Sequence, residues 1–218
     1  MKIPLRLPVF SVLIVGFLLV VFLFFNTGLG QMRAAENHFQ RALIHRQNDK
    51  LANANLEIDE ALRISPDNAY YAATKGLIIG RIAEREAGGG LLTWFLNGAL
   101  KAVQVNNEHI RDAITHYQKA VSLNPRDGLF HHNLGWLYWF SGDREQAIAE
   151  FLQAAQSGDK DGVYSVSPGL ILEQGGDISG AIESYSAAIR LHPRILESPF
   201  FADLKKRNDE IAAHVIEK

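Results

Sequence analysis

From Val9 to Phe25 every residue is apolar except Ser11 and Gly16, and the whole stretch from Leu7 to Met32 carries no charge. No polar face interrupts the run, which sets it apart from a surface helix of a soluble domain. Seventeen helical residues rise about 26 Å, at the short end for a bilayer core of about 30 Å. Flanking uncharged residues, with Arg6 and Arg33 snorkelling outward, cover the difference. The pattern predicts a transmembrane signal anchor over 9–25, a short N-terminal tail at 1–8 and a linker at 26–34. A cleaved secretory signal is the rival, with Lys2 and Arg6 as its basic start and Gly28-Leu29-Gly30 as a small-x-small cleavage site. The apolar stretch is longer and richer in Phe than such signals require. Lys2 and Arg6 favour a cytoplasmic N-terminus under the positive-inside rule. The expected location is therefore a bacterial inner membrane, crossed once, with the remainder of the chain periplasmic.

Beyond position 34 the pattern changes to amphipathic segments of helical period, and it repeats. Ala113, Tyr117 and Ala120 form a small–aromatic–small set. The set recurs as Ala147, Phe151 and Ala154, and again at the same interval as Ala181, Tyr185 and Ala188. An earlier set is Ala54, Ile58 and Ala61, with Ile in the aromatic place. Pro66, Pro125 and Pro193 end units, because proline cannot continue a helix. Ser141-Gly142-Asp143 and Gly175-Gly176-Asp177 read as turns inside units.

The residues of this period resemble the tetratricopeptide repeat, whose pattern is W-x2-L-G-x2-Y, then A-x3-F, then P, on two antiparallel helices. Residues 128–161 match best, through Leu134, Gly135, Tyr138, Ala147, Phe151 and Ala154, with His131 in place of the first aromatic. Residues 162–195 match through Gly169, Ala181, Tyr185, Ala188 and Pro193, while Ser165, Pro168 and Leu172 depart from the pattern and predict a shorter or kinked first helix. The resemblance implies an all-α, right-handed α-solenoid of about four helix pairs over 35–195, with units at about 35–68, 69–127, 128–161 and 162–195. After Pro199 the apolar positions Phe200, Phe201, Leu204, Ile211 and Val215 predict a C-terminal capping helix over 199–218, with Lys205, Lys206 and Arg207 in water.

One unit is interrupted. Gly76 occupies the close-packing glycine place, and the pattern puts the next alanine near position 88. That alanine is instead Ala113, an excess of about 25 residues over a repeat of about 34. The extra material falls near 88–107, where Gly88 to Gly90 make a flexible break and Leu91 to Val105 read as a short apolar helix containing Trp94 and Phe95. Such a segment packs on the repeats, rests on the membrane surface or docks a partner.

Composition narrows the function. Net charge is −2 with a pI near 6.4, so no basic excess exists to neutralise phosphates and nucleic acid is not an expected partner. There is no cysteine, which excludes disulfides, thiolate metal sites and cysteine catalysis. Neither a phosphate-binding loop nor a G-x-S-x-G elbow is present. The eight histidines lack the i, i+4 spacing of a helical metal pair, and His131 and His132 point about 100° apart on a helix. No catalytic residue, metal ligand or cofactor is expected, and the chain does not read as an enzyme.

The resemblance further implies that first helices line one face on which partners bind. In HHNLGWLYWF, residues 131–140, Leu134, Gly135 and Tyr138 are the packing stripe. Beside it run Leu129, His132, Trp136, Trp139 and Phe140, which the repeat pattern does not explain. Translation by one unit adds Val163, Val166 and Leu170, and the interrupted unit adds Tyr70 and Leu77. The expected function is a membrane-anchored scaffold that binds a protein partner or assembles a membrane-associated complex. The alternatives are a structural subunit held mainly by its anchor, and a lipid- or glycan-pathway accessory protein whose aromatic groove holds the ligand.

Overall fold

The computed structural model describes the backbone of residues 9–86, 108–157 and 163–216; most side chains of 9–26, and that of Val163, lie outside the described residues. The chain divides into two compact units, Met1–Pro66 and Asp67–Lys218.

In the first unit, α1 (Val9–Gln47) turns back into α2 (Leu51–Ile64). Asp49 takes the left-handed conformation in the connecting turn, which its short polar side chain tolerates. The buried faces are small: Ala35 and Ala42 on α1 meet a stripe of Leu51, Ala54, Ile58 and Ala61 on α2. Ala42 precedes Ile58 by the same interval that separates Gly135 from Phe151, so it takes the close-packing place of this pair. The expected linker over 26–34 is not a linker: these residues continue α1 without a break. They contain neither proline nor a left-handed glycine that would end a helix. Among the described residues no helix is long and apolar enough to cross a membrane, but the expected span at 9–25 falls mostly on side chains outside them.

Among the described residues the second unit contains three helix pairs. They are α3 (Ala69–Glu86) with α4 (Glu108–Leu123), α5 (Gly128–Ser141) with α6 (Arg144–Gln156), and α7 (Val163–Gln174) with α8 (Ile178–Leu191). One device holds each pair. A Cβ on Gly76 would lie 2.6 Å from the Tyr117 ring, one on Gly135 2.8 Å from Phe151, and one on Gly169 2.5 Å from Tyr185. No real Cβ sits that close, so the aromatic ring packs directly on the glycine backbone. Glycine and aromatic are equally spaced along the chain in the last two pairs, and the first pair is longer by the length of the insertion. The inserted segment itself, 87–107, lies outside the described residues. Glu86 and His109, on either side of it in sequence, are in contact, His109 Nδ1 to Glu86 Oε2 at 2.8 Å.

Caps account for where the helices start. Asp127, Asp143 and Asp177 accept from the backbone N–H of Leu129, Gln146 and Gly180. Asn68 does the same for Tyr70 and Tyr71. Gly142 and Gly176 adopt φ of 87° and 80°, the left-handed exit that lets the chain reverse within a short turn.

At the C-terminal end α7 is the shorter first helix expected, 12 residues against 14 in α5, and it runs through Pro168, whose ring is fully buried, to Gln174. The missing N–H falls in the second turn, where only one ladder bond is lost, and tertiary packing holds the helix. The expected cap over 199–218 needs correction, because it is not one helix. A 3₁₀ turn (Pro193–Glu197) leads to α9 (Pro199–Ala202), α10 (Leu204–Arg207) and α11 (Asp209–Val215). Asn208 is extended and its side chain caps Ile211, which starts a new helix instead of continuing the old one. Phe201, Leu204, Ile211 and Val215 are nevertheless buried, against Tyr185 and Ala188 of α8.

Candidate functional site: the first-helix face of the repeats

The residues expected to bind a partner separate into three groups. Trp139 is 9% exposed, Val166 7% and Leu170 3%, so these three belong to the interior and are corrected from binding residues to core. His132, Trp136, Phe140 and Leu77 are half-buried. Tyr70 and Leu129 are exposed, at 57% and 49%. Val163 begins α7, and its side chain lies outside the described residues.

The burial has a specific cause. Phe151 of α6 rises into the space beside α5, and the half-buried aromatics wrap it. Trp136 meets its ring edge-on at 5.1 Å between centroids and His132 at 5.6 Å. Phe140 stacks on Trp136 at 6.0 Å. Trp139 joins Ala147, Phe151 and Ile171 in one cluster, which ties α5 to α6 and α7. What reads in the sequence as a second, unexplained stripe is largely the joint between consecutive pairs.

His132 is a polar pin in that joint. Trp136 Nε1–H donates to His132 Nε2 at 3.3 Å. Ser167 Oγ of α7 lies 3.0 Å from the same nitrogen. Ser167 is 1% exposed. The Ser–His proximity is therefore a buried structural link and offers a substrate no access. Trp139 is different: its indole N–H is buried and has no acceptor among the described residues.

Tyr70 and Leu129 remain at the surface. Each is the second residue of its first helix, held there by the Asn68 and Asp127 caps. They are joined through Phe130, whose ring meets that of Tyr70 edge-on at 5.4 Å. The two side chains present an apolar ridge across consecutive pairs.

Two polar arrangements were not legible as sites in the sequence. Glu173, on the first-helix face of the last pair, is held by Arg207 (Nε–H to Oε1, 3.4 Å) and by the Tyr185 hydroxyl (2.7 Å). Burial, the hydrogen bond to Glu173 and that carboxylate's charge push the Tyr185 phenol well above its ordinary pKa. Arg207 also donates to the Phe200 carbonyl and lies 4.5 Å over the Phe200 ring, so it is not the wet lysine-like residue expected. The second arrangement is a His–Glu pair that occurs twice. His38 Nδ1 meets Glu57 at 2.7 Å and His131 Nδ1 meets Glu150 at 2.6 Å, with the same spacing along the chain. Both histidines stand where the repeat pattern has its first aromatic. That recurrent His–Glu spacing was the available signal. Among the described residues no group of histidines and carboxylates is placed to hold a metal ion.

Glycine against aromatic, left-handed turn and aspartate cap recur here at the period found in the sequence. The tetratricopeptide repeat profile matches residues 103–163 and 132–194. Residues 103–194 are therefore tetratricopeptide repeats. A curated relative, the BBSome complex member BBS4 of Xenopus tropicalis, is 34% identical over 85 residues, 39% of this chain. The match spans 16% of that relative's length. Among solved structures, a crystal structure of MamA superposes with a TM-score of 0.58 at 18% identity, covering 83% of this chain and 87% of that one. MamA 41-end from Desulfovibrio magneticus RS-1 gives 0.59 at 13%, covering 84% and 92%. YrrB, described as a TPR protein with an unusual peptide-binding site, gives 0.53 at 14%, covering 83% and 86%. At these identities the likeness establishes the fold. The tetratricopeptide repeats mark the chain as a protein–protein interaction scaffold.

Proposed function

We propose that this chain is a membrane-anchored scaffold whose first-helix face holds a protein partner of a membrane-associated complex. The observation that carries the reading is the ridge of Tyr70 and Leu129, two large apolar side chains left in water at equivalent places of consecutive pairs. Their neighbours on the same helices are drawn into the joint, so burial on binding is the remaining gain open to them. Half-buried Trp136, Phe140 and Leu77 lie further along the same first helices. The uncharged run from Leu7 to Met32 supports the anchor, and Lys2 and Arg6 support a periplasmic repeat domain. The relative named as a complex member is consistent with an assembly role.

The test is co-purification in mild detergent. Tyr70→Ser with Leu129→Ser is expected to lose the partner while helicity by circular dichroism is kept. Deleting 1–30 is expected to release the protein from membranes and leave partner capture intact. The opposite pattern, capture lost with the anchor and kept by the double substitution, would identify a subunit held by its anchor. Bound lipid recovered with the wild type but absent from the double variant would favour the lipid-handling alternative.

A further inference from the structure

The two His–Glu pairs differ in one respect that gives them different chemistry. His131 is 6% exposed and uses both ring nitrogens. Nδ1 meets Glu150 Oε2 of α6 at 2.6 Å and Nε2 meets the Pro125 carbonyl at 3.0 Å. A carbonyl oxygen only accepts, and so does a carboxylate. Both contacts are therefore satisfied only while the pair holds one proton more than neutral imidazole plus carboxylate. It does not matter which partner carries that proton: imidazolium with carboxylate and imidazole with carboxylic acid each supply two donors. Removing it leaves one hydrogen bond where two stood.

In the first pair, His38 Nδ1 meets Glu57 and has an arginine beside it. Arg41 Nε–H donates to Glu57 Oε2 at 3.0 Å, and Arg41 Nη2 lies 2.8 Å from His38 Nδ1. When His38 is neutral, Nδ1 accepts from Arg41 and Glu57 keeps a permanent cation. At the matching place after His131 stands the buried Leu134. Among the described residues the ion pair of His131 and Glu150 includes no third member. The other carboxylate at this end of α5, Asp127, is turned to cap Leu129.

We propose that the His131–Glu150 pair is a proton-dependent clasp on the turn at Pro125, closed in acid and opened as pH rises, while the His38–Glu57–Arg41 cluster stays closed. The clasp bridges α6 to the turn that joins α4 to α5. That turn is otherwise held by its own short backbone bonds, Asp127 N–H to Asn124 and Phe130 N–H to Asp127. Loss of the Nε2 bond frees the Pro125 carbonyl and with it the start of α5.

Hydrogen exchange of the full chain in mild detergent reads this directly. After correction for the intrinsic rate, protection of the amides at 126–130 should fall roughly tenfold between about pH 5.5 and 8.5, the loss expected for one charge-assisted hydrogen bond. The turn at Gly142–Asp143 serves as the internal control and should not change. His131→Phe restores the aromatic of the repeat pattern and should give protection independent of pH. Glu150→Gln keeps an acceptor for Nδ1 and removes the charge, so the transition should move to lower pH. Equal protection at both pH values in the wild type overturns the proposal, as does a Glu150→Gln transition at the wild-type pH. The wild-type measurement stands alone if His131→Phe does not fold.

Discussion

Gly135→Ala and Gly80→Ala are the same chemical change in neighbouring first helices, and the structure assigns them opposite signs. Each adds a methyl group in a helix interior, which on propensity alone favours the helix by about 0.8–1.0 kcal/mol. At Gly80 the new Cβ would meet Leu137 Cδ2 at 3.5 Å, an ordinary van der Waals distance, so the propensity gain survives. At Gly135 it would lie 2.8 Å from both Cδ1 and Cε1 of Phe151 and 3.1 Å from Cγ. The ring would have to retreat by roughly 0.6–1 Å to reach normal contact. It has nowhere to go, since Phe151 is 0% exposed and held by Trp136 and His132. Overpacking of this kind costs typically about 1–3 kcal/mol. After the propensity gain, Gly135→Ala should destabilise by up to about 2 kcal/mol and Gly80→Ala should stabilise by up to about 1 kcal/mol. In a chain of this size the melting temperatures should move about 2–4 °C per kcal/mol, in opposite directions. Urea unfolding followed by circular dichroism gives the free energies, and Gly135→Ala with Phe151→Leu should recover part of the loss. If both alanines stabilise, close helix approach is not what keeps glycine at 135, and the packing argument for all three pairs fails.

Four further outcomes follow from the same geometry. Trp139→Phe removes a buried N–H that has no acceptor among the described residues, so thermal unfolding should stay within about 1 kcal/mol of the wild type, whereas Trp139→Ala should cost about 3–5 kcal/mol. Tyr185 has its phenol pKa raised in the fold, so its contribution is complete below the unfolded value near 10 and is lost as pH rises beyond it; Tyr185→Phe should flatten the alkaline limb of a melting-temperature profile. At Glu57 burial raises the pKa, but hydrogen bonds from His38 and Arg41 and their charges lower it further, for a net depression; its stabilisation is present above the unfolded carboxyl value and lost as pH falls through the folded one, and Glu57→Gln should remove that part of the acid limb. Arg41→Leu removes a hydrogen bond and a charge that lower the Glu57 pKa, so it should reduce the same part of the acid limb in a melting-temperature profile.

The repeat was legible because its determinants are local. A small residue every turn, an aromatic between two alanines and a glycine at a fixed interval before it are features of one helix pair, and one pair is a contiguous stretch of chain. The length of the insertion followed from the same register, and the turns at Gly142 and Gly176 were legible as glycine-containing breaks. The linker, the single terminal helix and the wet Arg207 were misread because each depends on what lies alongside. Residues 26–34, with Gly28 and Gly30 among them, read as a break when the neighbouring helical residues are ignored, yet nothing in them stops a helix. Arg207 is apolar-facing only because Glu173, from the first helix of the last pair, supplies its carboxylate.

The aromatic stripe of α5 marks the boundary between the two kinds of knowledge. Sequence alone determined that Leu134, Gly135 and Tyr138 share one helix face and that Trp136, Trp139 and Phe140 lie off it, because helical geometry fixes angles between residues of one segment. Which of those faces remains in water was decided by the tertiary structure. Ile171 of α7 and the ring of Phe151 pack on Trp139, Val166 is buried with α8 and the C-terminal helices, and Leu170 is buried too, while Tyr70 and Leu129, at the helix starts, stay uncovered. Exposure is a property of the neighbour as much as of the residue, and the neighbour of a first helix is the next first helix, about a full repeat away along the chain.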